Sequence, residues 1–258
     1  MHIIERPGQG PAVVCIHGYC QSSAYWTPTL DRMAERGVHA LAMDLPGFGQ
    51  SAAEPGPYDM ASLADAVDAL CERKDLGRIV LAGGSMGGVV AQHLVLRHPQ
   101  RVSRLLLVST GAFTADPATA LARADAIAAG EWSDAAVEPM IKGFFRQPPA
   151  ADEFARYQRI ARSAAKAAAV AAARSNATLR TLEQLGQIAI PTLIVQGRHD
   201  RARTPEHGAL MCEHMPNARL AVLENSGHTP QLEEPEAFYR AVMPFLLDRA
   251  AGDILGQA

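Results

Sequence analysis

No block of like charge, no apolar stretch of the ~18 residues a membrane helix needs and no C-x-x-C pair occurs in this chain. Each absence excludes a class of protein. Charges are interspersed and the formal net charge is −3, which argues against a polyanion such as nucleic acid as partner. The opening Met1-His2-Ile3-Ile4-Glu5-Arg6-Pro7-Gly8 has neither the basic start nor the apolar stretch of a secretory signal, so the chain reads as soluble and cytoplasmic, with no membrane partner. Cys15, Cys20, Cys71 and Cys212 are scattered and predict neither a disulfide framework nor a zinc site, only incidental thiols. Aromatic residues make up 5% of the sequence, too few for a broad stacking platform. The phosphate-loop pattern G-x-x-x-x-G-K-[ST] is missing. No metal and no cofactor is called for.

Hydrophobic residues make up 48% of the 258, enough for one large core with an inserted subdomain. Apolar runs at residues 12–16, 38–43, 79–82, 105–108, 192–196 and 219–223 alternate with helical patterns. That rhythm predicts an α/β fold, a mostly parallel sheet with helices on both faces. Asp59 and Thr204, the latter before Pro205, stand where helix caps belong. From 113 to 187 the strand rhythm stops and an alanine-rich helical segment takes over, predicting a cap of residues 113–187 inserted into a core of 1–112 and 188–258. Pro117, Pro139 and Pro148-Pro149 should divide it into short helices.

The most informative stretch is Gly83-Gly84-Ser85-Met86-Gly87, lying between the apolar run Ile79-Val80-Leu81-Ala82 and a helical pattern from Val89. A serine at such a strand-to-helix turn is thrust out of the sheet on a strained corner, and glycines two positions either side keep side chains from colliding there. Ser85 occupies the second-glycine position of G-x-G-x-x-G, which disfavours a phosphate loop.

A serine hydroxyl needs a base within hydrogen-bonding reach, and the base needs a group to orient it. Asp200, in Gly197-Arg198-His199-Asp200, and His228, after Gly227, both follow predicted strands in the order serine, acid, histidine. A turn or capping role for Asp200 and an exposed loop role for His228 are the plain alternatives. Asp44 is the rival acid, with a structural loop role favoured; His17 is read as packing under its own turn and His199 as solvated. Acyl transfer also needs donors for an oxyanion. The backbone N–H groups of Met86 and Tyr19 are the candidates, the latter after Gly18 on the loop leaving the first strand.

Together His17-Gly18-Tyr19, Asp44-Leu45-Pro46-Gly47-Phe48-Gly49-Gln50-Ser51, the corner at Ser85, Gly197-Arg198-His199-Asp200 and Gly227-His228 resemble the α/β-hydrolase superfamily. The resemblance implies Ser85 as nucleophile, Asp200 as acid, His228 as base and Tyr19 and Met86 as oxyanion donors. It also implies a cofactor-free serine hydrolase acting on a small carboxylic ester or lactone. Carbon–carbon cleavage of a ring-opened dienone by the same residues, or a ligand receptor on the same fold, are the alternatives. The loop after His17-Gly18 lacks the Gly-Pro-Gly-Ala-like continuation of ring-cleavage hydrolases, which lowers the first of them. The late start of the first apolar run implies that the family's N-terminal hairpin is short or partly absent.

Substrate clues are thinner. Phe144, Phe145, Met140 and Trp132 either line a pocket or dock the cap onto the core. Arg156, Arg159, Arg162 and Lys166 share one helical face, which either greets an anionic substrate or faces solvent.

Overall fold

The computed structural model describes residues 1–247. Seven strands form one sheet in the order β1-β3-β2-β4-β5-β6-β7. They are β1 (Ile3–Arg6), β2 (Gln9–Ile16), β3 (Val38–Met43), β4 (Ile79–Gly84), β5 (Val102–Val108), β6 (Thr192–Gly197) and β7 (Ala218–Leu223). Every pairing is parallel except that of β1 with β3. The helices are α1 (Thr27–Ala34), α2 (Met60–Arg73), α3 (Met86–Arg97), α4 (Pro117–Ala129), α5 (Asp134–Phe144), α6 (Ala151–Ser163), α7 (Lys166–Ala177), α8 (Pro205–His214), α9 (Pro230–Glu233) and α10 (Pro235–Leu246).

Alternation along the strands decides which helix covers which face. Val14, Ile16, Ile79 and Leu81 point into a core shared with Leu63 and Val67 of α2 and Val90 and Leu94 of α3. Val13, Cys15, Val80 and Ala82 point the other way, to Leu30 and Met33 of α1 and Phe238 and Val242 of α10. Both faces are therefore buried, which is why the central strands read as unbroken apolar runs. Because β2, β4, β5, β6 and β7 run parallel, their carboxyl ends open onto one edge of the sheet. There the chain places His17, Ser85, Asp200 and the loop bearing His228.

Three expectations need correction. A strand precedes the expected first one: β1 lies antiparallel against β3, with Ile3 opposite Met43, and β2 begins at Gln9. The first three residues of β2 are exposed, so hydrophobicity could not reveal them. Pro139 does not end a helix but sits inside α5, whose buried Val137, Ile141 and Phe144 hold it through the lost backbone bond. Thr204 does stand at the N-cap of α8 with Pro205 in the first turn, but it makes no capping hydrogen bond; its Oγ1 lies 3.2 Å from His207 Nδ1 instead. Asp59 does cap α2, accepting from the Ser62 amide at 3.0 Å.

Helices α4 to α7 all fall between β5 and β6. The prolines at 148 and 149 separate α5 from α6, and Pro117 opens α4 with Asp116 accepting from the Thr119 amide at 3.0 Å. Cys15, Cys20 and Cys71 are buried free thiols, and burial pushes all three up from the usual thiol range. Among the described residues no helix is long and apolar enough to cross a membrane.

Candidate active site

The corner between β4 and α3 is built by close backbone approach. Ser85 has φ +51°, a left-handed conformation uncommon outside glycine. A side chain on Gly83 would strike the Gly87 carbonyl, and one on Gly87 would strike the carbonyls of Ile16 and His17. The corner is braced from β5: the Ser85 amide donates to Val108 O at 2.8 Å, and Thr110 Oγ1 donates to Ser85 O at 2.7 Å. Thr110 was not legible as a site residue, since a threonine just past a strand carries no signal of its own.

The structure brings Ser85, His228 and Asp200 together. Ser85 Oγ lies 2.8 Å from His228 Nε2, and His228 Nδ1 lies 2.7 Å from Asp200 Oδ2. The other carboxylate oxygen of Asp200 accepts the amides of Ala202 at 2.8 Å and Arg203 at 2.9 Å. A carboxylate only accepts, so the imidazole proton belongs on Nδ1 and Nε2 is left to accept the serine hydroxyl. His228 is 6% exposed and Asp200 3%, so the chain of bonds runs through a medium that screens it weakly. Beside it, burial lowers the pKa of the Arg203 guanidinium against the opposing pull of Asp200, and its Nη1 donates to Phe113 O at 3.1 Å.

The loop after β2 passes directly over the serine. A side chain on Gly18 would stand 3.2 Å from Ser85 Cβ, and the Gly18 amide is held by Gln21 Oε1 at 2.9 Å. Among the described residues the amides of Tyr19 and Met86 have no acceptor, and Met86 opens α3, whose N-terminus favours negative charge. The Tyr19 hydroxyl turns away to donate to Ala169 O of α7 at 3.0 Å.

His17 and Asp44 serve the framework. His17 Nδ1 donates to Gly18 O at 2.8 Å, its Nε2 accepts from the Leu45 amide at 3.0 Å, and complete burial lowers its pKa. Asp44 accepts the amides of Ser23 at 2.6 Å and Gln50 at 2.7 Å. His199 is exposed.

Of the residues read as substrate contacts, Phe144 stacks on the His228 imidazole at 5.9 Å between centroids. Phe145 packs instead on Tyr157 of α6 at 5.2 Å, and Tyr157 packs on Tyr25 at 4.9 Å. Trp132 is half-buried against the core and Arg159 is exposed on α6. Among the described residues neither bonds to Ser85, Asp200 or His228. Two of the four residues of the basic face tie helices together: Arg162 pairs with Asp134 at 3.3 Å, and Lys166 Nζ donates to Ala128 O and Gly130 O, each at 2.7 Å. Among the described residues no group of three or more His, Cys, Asp or Glu is placed to hold a metal ion.

A family model described as alpha/beta hydrolase fold matches residues 11–235. The chain belongs to the alpha/beta hydrolase family. Within it, the chain is 28% identical over 236 residues to 3-oxoadipate enol-lactonase 2 of Acinetobacter baylyi, covering 90% of this chain and 87% of that one. It is 31% identical over 262 residues to the pimeloyl-[acyl-carrier protein] methyl ester esterase of Aeromonas hydrophila, covering 94% and 98%. A solved hydrolase from Pseudomonas aeruginosa superposes with TM-score 0.87 at 27% identity, covering 95% and 93%. The site above thus lies in a hydrolase fold and among hydrolase relatives.

Proposed function

We propose that this alpha/beta hydrolase is a cofactor-free serine hydrolase that cleaves a small carboxylic ester or lactone through an acyl-enzyme. The observation that carries the reading is the unbroken relay from Ser85 Oγ through His228 to Asp200, at 2.8 and 2.7 Å, on a corner that presents the hydroxyl. Ser85 attacks the carbonyl carbon as His228 Nε2 takes its proton, and Asp200 stabilises the imidazolium that results. The amides of Tyr19 and Met86 receive the oxyanion, each donor contributing about 3 kcal/mol to the transition state. The tetrahedral adduct collapses as His228 returns the proton to the leaving oxygen. Water, deprotonated by the same imidazole, then releases the acid and restores Ser85.

In this reading residues 113–187 cap a core of 1–112 and 188–258, and Phe144 over the imidazole bounds the space where an acyl group sits. The enol-lactonase and methyl ester esterase relatives support the bond type. The test is turnover by the wild type and Ser85→Ala against short-chain esters, anionic enol-lactones and dienone ring-cleavage products. Ester or lactone turnover should fall by about 10⁴-fold or more in Ser85→Ala. Undiminished ester cleavage by that variant refutes the proposal. Serine-dependent loss of a dienone alone assigns carbon–carbon hydrolysis, and tight product binding without turnover assigns a receptor.

A further inference from the structure

We propose that Glu233 is a positioning residue that sets the base by stapling the His228 loop to the end of α5, an inference that rests on the hydrolase reading above. Glu233 closes α9, the four-residue helix that follows the base. Its Oε2 accepts the amides of Gly227 at 2.9 Å and Thr229 at 3.2 Å, the residues on either side of His228. Its Oε1 accepts the amide of Arg146 at 2.5 Å, two residues beyond Phe144. One carboxylate therefore gathers three backbone donors from two separate parts of the chain.

The two backbones it joins are in contact. A side chain on Gly227 would stand 2.7 Å from Arg146 N and 3.2 Å from Phe145 C. Thr229 Oγ1 lies 3.1 Å from Phe144 O and 3.3 Å from Glu233 Oε2, and its single proton serves one of them at a time. The consequence falls on the imidazole: Phe144 covers one face of the ring, with ring planes 21° apart, so whatever fixes Phe144 against the loop also fixes the ring. Glu233 touches no reacting atom. It acts through His228, whose Nε2 must meet Ser85 Oγ with an error of tenths of an ångström.

Three N–H donors converging on two oxygens require a carboxylate. A carboxamide offers one oxygen, and its NH₂ would confront an N–H on the other side. Glu233→Gln is accordingly isosteric yet opens one half of the staple. In the full chain it should lower kcat about 10- to 100-fold on the ester found by the substrate panel, with KM within about threefold. Labelling of Ser85 by a fluorophosphonate should slow in parallel, and the downfield imidazole N–H proton resonance of His228 should shift or broaden while circular dichroism stays native. A lowered melting temperature with kcat within about twofold of wild type would make Glu233 a mere strut and overturn the proposal.

Should Glu233→Gln fail to fold, Arg146→Pro, read against Arg146→Ala as its control, removes the N–H given to Oε1 along with the side chain whose Nη1 donates to Asn225 O at 3.4 Å. It is expected to lower kcat about 3- to 10-fold with KM unchanged, and wild-type kcat would overturn the proposal. If wild-type protein neither turns over an ester nor labels at Ser85, the hydrolase reading is what fails. The imidazole resonance then still decides for Glu233: displacement in Glu233→Gln supports the positioning role, and an unmoved signal overturns it.

Discussion

The sheet and the helical segment between β5 and β6 are held by different means. Around Ser85 the chain is set by backbone against backbone: Gly83 on Gly87, Gly87 on Ile16, and strand registers that carry Gly84 opposite Val108 and Gly197 opposite Leu223. The segment of α4 to α7 packs apolar side chains such as Val137, Ile141, Tyr157 and Ala168 into the core and adds single side chains reaching carbonyls. Tyr19 reaches Ala169, Thr114 reaches Asn176, and Lys166 reaches Ala128 and Gly130. Its ion pairs, Arg174 with Asp125 and Arg162 with Asp134, are surface pairs worth ~0–1 kcal/mol each. The first kind of contact fixes atoms to tenths of an ångström and tolerates no substitution. The second holds helices in place while leaving their sequence free to vary.

Substitutions in the two regions should separate these effects. On the sheet edge, Asp200→Asn keeps the shape but inverts the tautomer preference of His228, and kcat should fall about 10⁴-fold with melting little changed. Steady-state kinetics beside a thermal melt checks this, and a drop below tenfold would mean that Asp200 is not the orienting acid. Phe144 stands where the regions meet. Phe144→Leu should cost about 1–2 kcal/mol of stability and lower kcat/KM about 3- to 10-fold, since the imidazole loses the ring that covers it. Denaturant unfolding and kinetics on the same preparations would show whether the two losses occur together; a loss of stability alone would confine Phe144 to packing. Within the helices, Lys166→Met removes two charge-assisted bonds to the carbonyl end of α4. It should cost ~1 kcal/mol and leave kcat/KM for anionic and neutral substrates alike within about twofold. A tenfold rise in KM confined to anionic substrates would return this basic face to the binding site.

The same contrast explains what was legible in the sequence. The glycines around Ser85 and before His228 are forced by backbone contact, so a one-dimensional pattern carries them, and the order serine, aspartate, histidine follows from which strands precede them. The central strands were legible because both faces are buried. β1 was not, because Ile3–Arg6 is short, half-buried along its whole length and ends in charge. Glu233 was hidden for another reason: an acidic residue beside a second one, Glu234, before a proline reads as an ordinary helix start, and only the folded loop shows which amides it gathers. The substrate contacts remained divided between packing and pocket because an aromatic residue at helical spacing serves either purpose. Folding separates them, turning Phe144 to the imidazole and Phe145 to Tyr157.

The φ of +51° at Ser85 also acts as a filter on which side chains this position can hold. Small unbranched side chains such as serine, cysteine, aspartate or asparagine can be carried through that corner, whereas a β-branched threonine, though it bears the same hydroxyl, is a true outlier there. A change of side chain at this position is therefore open along one line, from hydroxyl to thiol or carboxylate, and closed along another that looks chemically nearer. The geometry that makes the serine accessible has already chosen its permitted successors.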